Sequence, residues 1–285
     1  MANTLRFMFI GDVVGNPGVT MVQKWVPKLK EKYSIDAIMI NGENAGKNGR
    51  GITPKIIDFF KSVGASVVTT GNHVWEHKEV YNALNERDDI IRPANYPPGC
   101  PGKGFTFFHI GGHTVAVINL HGRVFVRDLL DCPFRAIDSL LTFISTRTKI
   151  IFVDFHAEAT SEKRAMGLFL DGRVSGVYGT HTHIQTADEQ ILPQGTSYLT
   201  DLGYCGALNS VIGVQQDVVI QRFLLHPKIG RFTVDTRGPF VLSGIWVDVD
   251  TVTGKALKIE RIRVIDDEIT TMLEVDGSDD HKRRS

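Results

Sequence analysis

A chain of 285 residues, 42% of them hydrophobic, is long enough to bury a sizeable core as one large domain or two small ones. Its 32 basic and 32 acidic residues give a formal charge of zero, which excludes the general basic field that holds long nucleic acid. Cys100, Cys132 and Cys205 show no CxxC spacing, which excludes a disulfide framework and suits a reducing cytoplasm.

The first element, "RFMFIG" at 6–11, runs straight into Asp12 with no small-residue cleavage site behind it. It predicts a buried strand and no secretory signal. "AIMING" (37–42) predicts a second strand. "TPKIIDFFKSVG" then predicts a helix, with Thr53 as N-cap, Pro54 at the first helical position and Gly64 as terminator. "SVVTTGN" (66–72), "TVAVINL" (114–120), "KIIFVDFH" (149–156) and "VSGVYGTH" (174–181) are short, β-branched runs that predict further strands. The apolar stretch 140–155 is broken by Arg147, Lys149 and Asp154, so no membrane span is expected. Alternating strands and helices predict an α/β protein with a layered sheet. The C-terminal third is rich in Thr and Val around the turn "DTVTGK", which predicts antiparallel hairpins and a second sheet. Without repeats or a Gly/Ser linker, one domain is expected over 1–275. The charged "DGSDDHKRRS" (276–285) is expected to be a flexible tail.

Polar residues collect just past the strands. Asp12 follows the first, Glu43 and Asn44 the second, Asn72 and His73 "SVVTTG", while His156 ends "VDFH" and His181 and His183 lie in "GTHTH". Loops beyond the carboxyl ends of α/β strands converge on one crevice. Each residue alone has an ordinary structural explanation: a cap, a turn, a satisfied core histidine. All of them together, at five strand ends, point to a metal site. Carboxylate, amide oxygen and imidazole suit divalent iron, manganese or zinc, and the absent thiolates argue against structural zinc. Histidines one residue apart can address two neighbouring ions, which would activate a bridging hydroxide and clamp a phosphate. With Asp12 and Glu43 as the only anionic ligands, such a centre stays electropositive and favours an anionic substrate.

In order, these residues resemble the calcineurin-like metallophosphoesterases, whose blocks read GDxH, GDxxD, GNHD/E, a lone His and GHxH. The departures are informative: Val14 stands where GDxH has its second ligand, and "NGEN" replaces GDxxD. With "GDVVGNPG", "NGENAGKNGRGIT", "TGNHVWEHKE", "RPANYPPGCPGKG", "TSEKRAMG", "GTHTHIQTADEQIL" and "TDLGYCG", the chain resembles the bacterial YmdB-type phosphodiesterases from about residue 5 to 270. The resemblance implies a two-layer β-sandwich flanked by helices, a dinuclear iron or manganese centre with zinc as the third candidate, and hydrolysis of cyclic nucleotides. Homo-oligomers occur in that family. Carried over by position, it implies one ion on Asp12, Glu43, Asn44 and His183 and another on Asn72, His156 and His181, with Glu43 shared. It also makes His73 the general acid. A histidine suits that role because its pKa lies near working pH.

Thr182 and Thr53 are weaker candidates for phosphate contacts, and Lys163 and Arg164 for substrate. The glycines of "AGKNGRG" match no nucleotide-triphosphate loop, and "RPANYPPG" is expected to wall the crevice. The expected activity is therefore a phosphodiesterase acting on 2′,3′- or 3′,5′-cyclic nucleotides in the cytoplasm, with a small-molecule partner and no membrane. The alternatives are a nucleotide phosphomonoesterase on the same site, and a regulatory protein that holds RNA or a nucleotide with low residual activity.

Overall fold

The computed structural model describes residues 3–225 and 230–275; the tail expected at 276–285 lies outside them. One sheet holds β1 (Thr4–Ile10), β2 (Asp12–Val13), β3 (Ala37–Asn41), β4 (Val67–Thr69), β11 (Tyr204–Ala207), β12 (Phe240–Asp250) and β13 (Ala256–Asp266). Its order is β2-β11-β12-β1-β3-β4, with β13 paired to β12. The other holds β5 (Phe105–Ile110), β6 (His113–His121), β7 (Ile150–His156), β8 (Gly176–Thr180), β9 (Gln190–Ile191) and β10 (Ser197–Leu199), in the order β5-β6-β7-β8-β10-β9.

The two sheets face each other across one apolar layer, where Phe7, Phe9 and Met39 meet Val117, Phe152 and Tyr178. Phe9 lies edge-on to Phe152 at 4.8 Å between ring centroids, a favoured aromatic geometry. Helices α1 (Gly15–Lys32), α2 (Pro54–Ser62) and α3 (Val80–Glu86) pack on the outer side of the first sheet through Val22, Val26, Ile57, Phe60 and Leu84. Helices α4 (Pro133–Ile144) and α5 (Thr160–Leu170) cover the second through Ile137, Leu141 and Met166. The result is a β-sandwich flanked by helices. Double cover explains why β3, β7 and β8 are buried at every position and read as continuous apolar runs.

The expected strands and helix occur within a few residues of their predicted bounds. Thr53 Oγ1 caps α2 by accepting from the Ile56 N–H, and Gly64 beyond its end has φ +100°. The C-terminal hairpin forms, but in a different place from the expected one. β12 pairs antiparallel with β1 from Thr4↔Asp250 to Ile10↔Gly244, so it completes the first sheet, and the second sheet comes from the middle of the chain. β12 is buried almost throughout, whereas its partner β13 is mostly exposed, as an edge strand would be. No helix of the described residues is long and apolar enough to cross a membrane. All three cysteines are free thiols.

Candidate metal centre

In each sheet the parallel strands end on the same side. β1 runs parallel to β3, and β3 to β4; β6, β7 and β8 run parallel in the other. Asp12, Glu43, Asn44, Asn72, His73, His156, His181 and His183 all lie at or just beyond these ends.

Their donor atoms form two groups that share one residue. Glu43, His156 and His181 make one, and Asp12, Glu43 and His183 the other, with the ligand atoms of each within 4.8 Å of one another. In the first group His156 Nε2 lies 3.1 Å from Glu43 Oε1, 3.1 Å from Asn72 Oδ1 and 3.0 Å from His181 Nδ1. In the second, His183 Nε2 lies 3.2 Å from Asn44 Oδ1. The Asn44 Nδ2 donates to the Gly49 carbonyl at 2.9 Å, which turns its oxygen toward His183. His73 is partly buried beside the first group, and its backbone N–H donates to Glu43 Oε2.

Outer partners fix which atom of each ring faces the centre. The Thr180 hydroxyl donates to Asp154 Oδ1 at 2.7 Å and so accepts from His156 Nδ1–H at 2.9 Å. His183 Nδ1–H donates to the Ile212 carbonyl at 2.9 Å, and His181 Nε2–H faces Glu158 Oε2 at 3.1 Å. In the neutral ring each arrangement leaves a lone pair pointing inward, as a metal-binding histidine requires. Asp12 Oδ1 is buried with no hydrogen-bond partner among the described residues. Clustered lone pairs and an orphaned carboxylate oxygen repel one another unless a cation sits among them, so the donor set fits divalent metals.

Burial and mutual charge set the proton affinities of these groups. Burial pushes Asp12 up to about 7 against the pull of His183 and His156. Glu43 is also penalised by burial, yet the charge and hydrogen bond of His156 outweigh this and hold it well below the carboxylate range. Burial would lower His156, but Glu43 and Asp12 hold it up at about 9. Burial and the neighbouring His156 push His181 down to about 2, and burial sends His121 to about 4.

Asp201, Asp154 and Glu158 support the ligand side chains without belonging to the strand-end pattern in the sequence. His181 and His183 both have positive φ, 98° and 62°, which non-glycine residues rarely adopt. Asp201 pins the loop between them: Oδ2 accepts from Thr182 N–H and O–H, at 3.2 and 2.7 Å, and from Lys163 Nζ. Lys163 is buried in that ion pair, and so does not face substrate. Asp154 also takes hydrogen bonds from Asn41 and Thr69 beneath the centre. The only local hint of these roles was Glu158, two residues after His156.

Gly71 closes the floor. A Cβ there would overlap Glu43 Oε2 and the His156 ring. Gly71→Ala is expected to displace both side chains and cost about 1–3 kcal/mol through overpacking. Thermal unfolding beside the parent measures the loss, and an unchanged melting temperature would contradict the packing described.

Residues 8–262 match the sequence-family model described as "YmdB-like protein". The chain is 49% identical to the Bacillus subtilis (strain 168) protein named 2′,3′-cyclic-nucleotide 2′-phosphodiesterase, over 92% of this chain and 98% of that protein. Among solved structures it is similar to a novel phosphatase from Mycoplasma pneumoniae, with TM-score 0.87, 33% identity, and coverage of 93% of this chain and 95% of that one. It is also similar to a hypothetical protein from Thermus thermophilus, with TM-score 0.85, 39% identity, and coverage of 92% of this chain and 100% of that one.

Proposed function

The chain belongs to the YmdB-like family, and from that membership we propose that it is a dinuclear metal-dependent phosphodiesterase hydrolysing cyclic nucleotides. The observation that carries the reading is the double use of Glu43, whose carboxylate enters both donor groups. Asp12, Glu43, Asn44 and His183 would hold one ion, and Glu43, Asn72, His156 and His181 the other. Mixed oxygen and imidazole donors suit iron or manganese, with zinc third. When bound, two such ions supply Lewis acidity, lowering the pKa of water and neutralising phosphate charge.

The chain's own residues do the rest. Asp154 and Thr180, with Glu158 and Ile212, hold the ring orientations. Asp201 keeps the strained histidine loop in place. His73 protonates the departing ribose oxygen. The substrate proposed first is a 2′,3′-cyclic nucleotide, after the Bacillus subtilis relative's name. Water adds its OH to phosphorus and releases its other proton to solvent, the P–O2′ bond breaks, and O2′ takes a proton from His73, which solvent then reprotonates, leaving a 3′-phosphate. Residues 1–275 would form the single catalytic domain, working in the cytoplasm. Contacts from Thr182 and Thr53 to phosphate fit less well, since both hydroxyl oxygens already have protein partners.

Metal loading must displace protons. His156 holds its proton up to about 9 in the metal-free chain, and only the neutral ring binds a metal. Metal affinity is therefore expected to fall steadily as pH drops below about 9, read by competition with a chelator. Affinity independent of pH between 6 and 9 would remove His156 from the ligand set.

The activity itself is tested by turnover of 2′,3′- and 3′,5′-cyclic nucleotides, mononucleotides and bis-nitrophenyl phosphate by protein of measured metal content. Preference for a cyclic diester supports the reading. Preference for mononucleotides indicates a phosphomonoesterase, and nucleotide binding without turnover indicates a regulatory protein.

A further inference from the structure

We propose that Phe125 is the platform on which the base of the substrate stacks; this rests on the cyclic-nucleotide reading above. Phe125 belongs to the connection from β6 to α4, whose first residue, Gly122, donates its N–H to the His156 carbonyl at 2.9 Å. Three residues of extended chain span at most about 10–11 Å, so Phe125 stands close to the strand end that delivers His156.

Buried groups hold this connection in one shape. Asn95 clamps its two ends. Its side chain accepts from the His121 backbone N–H and donates to the His121 carbonyl, both at 2.8 Å, and donates to the Asp131 carbonyl at 3.0 Å. The Asn95 carbonyl accepts from the Asp131 N–H at 2.9 Å. A compact surface loop with its ends tied together is an Ω-loop, a frequent carrier of function. From the first turn of α5, the buried Glu162 carboxylate accepts from the backbone N–H groups of Arg123 at 2.9 Å and Val124 at 3.2 Å. The loop expected from "RPANYPPG" to wall the crevice thus supplies one clamp, and "TSEKRAMG" the other.

What this frame presents is a phenyl ring in solvent. Phe125 has φ +64°, which a bulky residue rarely adopts, and it is 86% exposed. An exposed ring gains nothing from the fold that would offset a strained backbone, and strain of this kind collects where function uses it. A cyclic nucleotide supplies the partner. With its phosphate at the metal centre, its base projects away from the ions, and base and phenyl cover each other's faces. Every base has a π-face, so the platform tolerates all of them.

The test compares adenosine 2′,3′-cyclic phosphate with methyl riboside 2′,3′-cyclic phosphate, the same ester without a base. Both are given to the metal-loaded parent, Phe125→Ala and Phe125→Trp. In Phe125→Ala, KM for the adenosine ester should rise about 10–100-fold with kcat nearly kept, the worth of one base–aromatic stack. KM for the base-free ester should stay at the parent's value, and Phe125→Trp should keep the parent's KM for both. An unchanged KM for the adenosine ester in Phe125→Ala would overturn the proposal. So would an equal rise on both esters, which would make Phe125 a support of the loop and not a contact of the base. Turnover of neither ester by the parent would instead overturn the phosphodiesterase reading, and the proposal with it.

Discussion

Glu43→Gln is expected to empty or disorder both metal positions and abolish nearly all turnover. Glu43 is the one residue in both donor groups, and its negative charge offsets the repulsion between two dications. The amide keeps the shape and loses the charge. His156, which Glu43 contacts at 3.1 Å, loses its main electrostatic partner at the same time. If the contribution of the ions is several kcal/mol, the loss is about 10³-fold or more in kcat, at about 1.4 kcal/mol per decade. His181→Ala and His183→Ala should each weaken one position. Elemental analysis with turnover decides the matter: normal metal content and rate in Glu43→Gln would show that this carboxylate is not shared.

His73→Ala is expected to keep its metal and lose about 10²–10⁴-fold in rate on cyclic nucleotides, the usual worth of general acid catalysis. His73 belongs to neither donor group, and its one polar tie to the centre is a backbone bond to Glu43. The loss should depend on the leaving group. A ribose alkoxide needs a proton as it departs, whereas nitrophenolate leaves without one, so bis-nitrophenyl phosphate should be hydrolysed much more nearly at the parent rate. Burial holds the His73 pKa below its ordinary value. Activity on cyclic nucleotides should therefore decline as pH rises through that value, and this limb should disappear in the variant. Equal losses on both substrates would make His73 a phosphate-positioning residue.

Much of the centre could be read in the sequence because strand ends are local features. A run such as "VDFH" declares both the strand and the residue it delivers. The same rule reached Asp12, Glu43, Asn44, Asn72, His181 and His183. Asp201, Asp154 and Lys163 are a different case. Their partners lie 19, 26 and 38 residues away in sequence, at Thr182, Thr180 and Asp201, and only the packed sheets bring them together. The sheet assignment of β12 failed for a similar reason. An apolar run marks a strand, but it does not name the neighbour that the strand will pair with.

Whether two ions act together is decided by anaerobic titration of metal-free protein with Fe²⁺ or Mn²⁺, following metal bound and turnover in the same samples. Hydrolysis of a 2′,3′-cyclic nucleotide is expected to rise with the doubly loaded fraction and level off at two ions per chain. Full activity with a single ion, or with none, would contradict it.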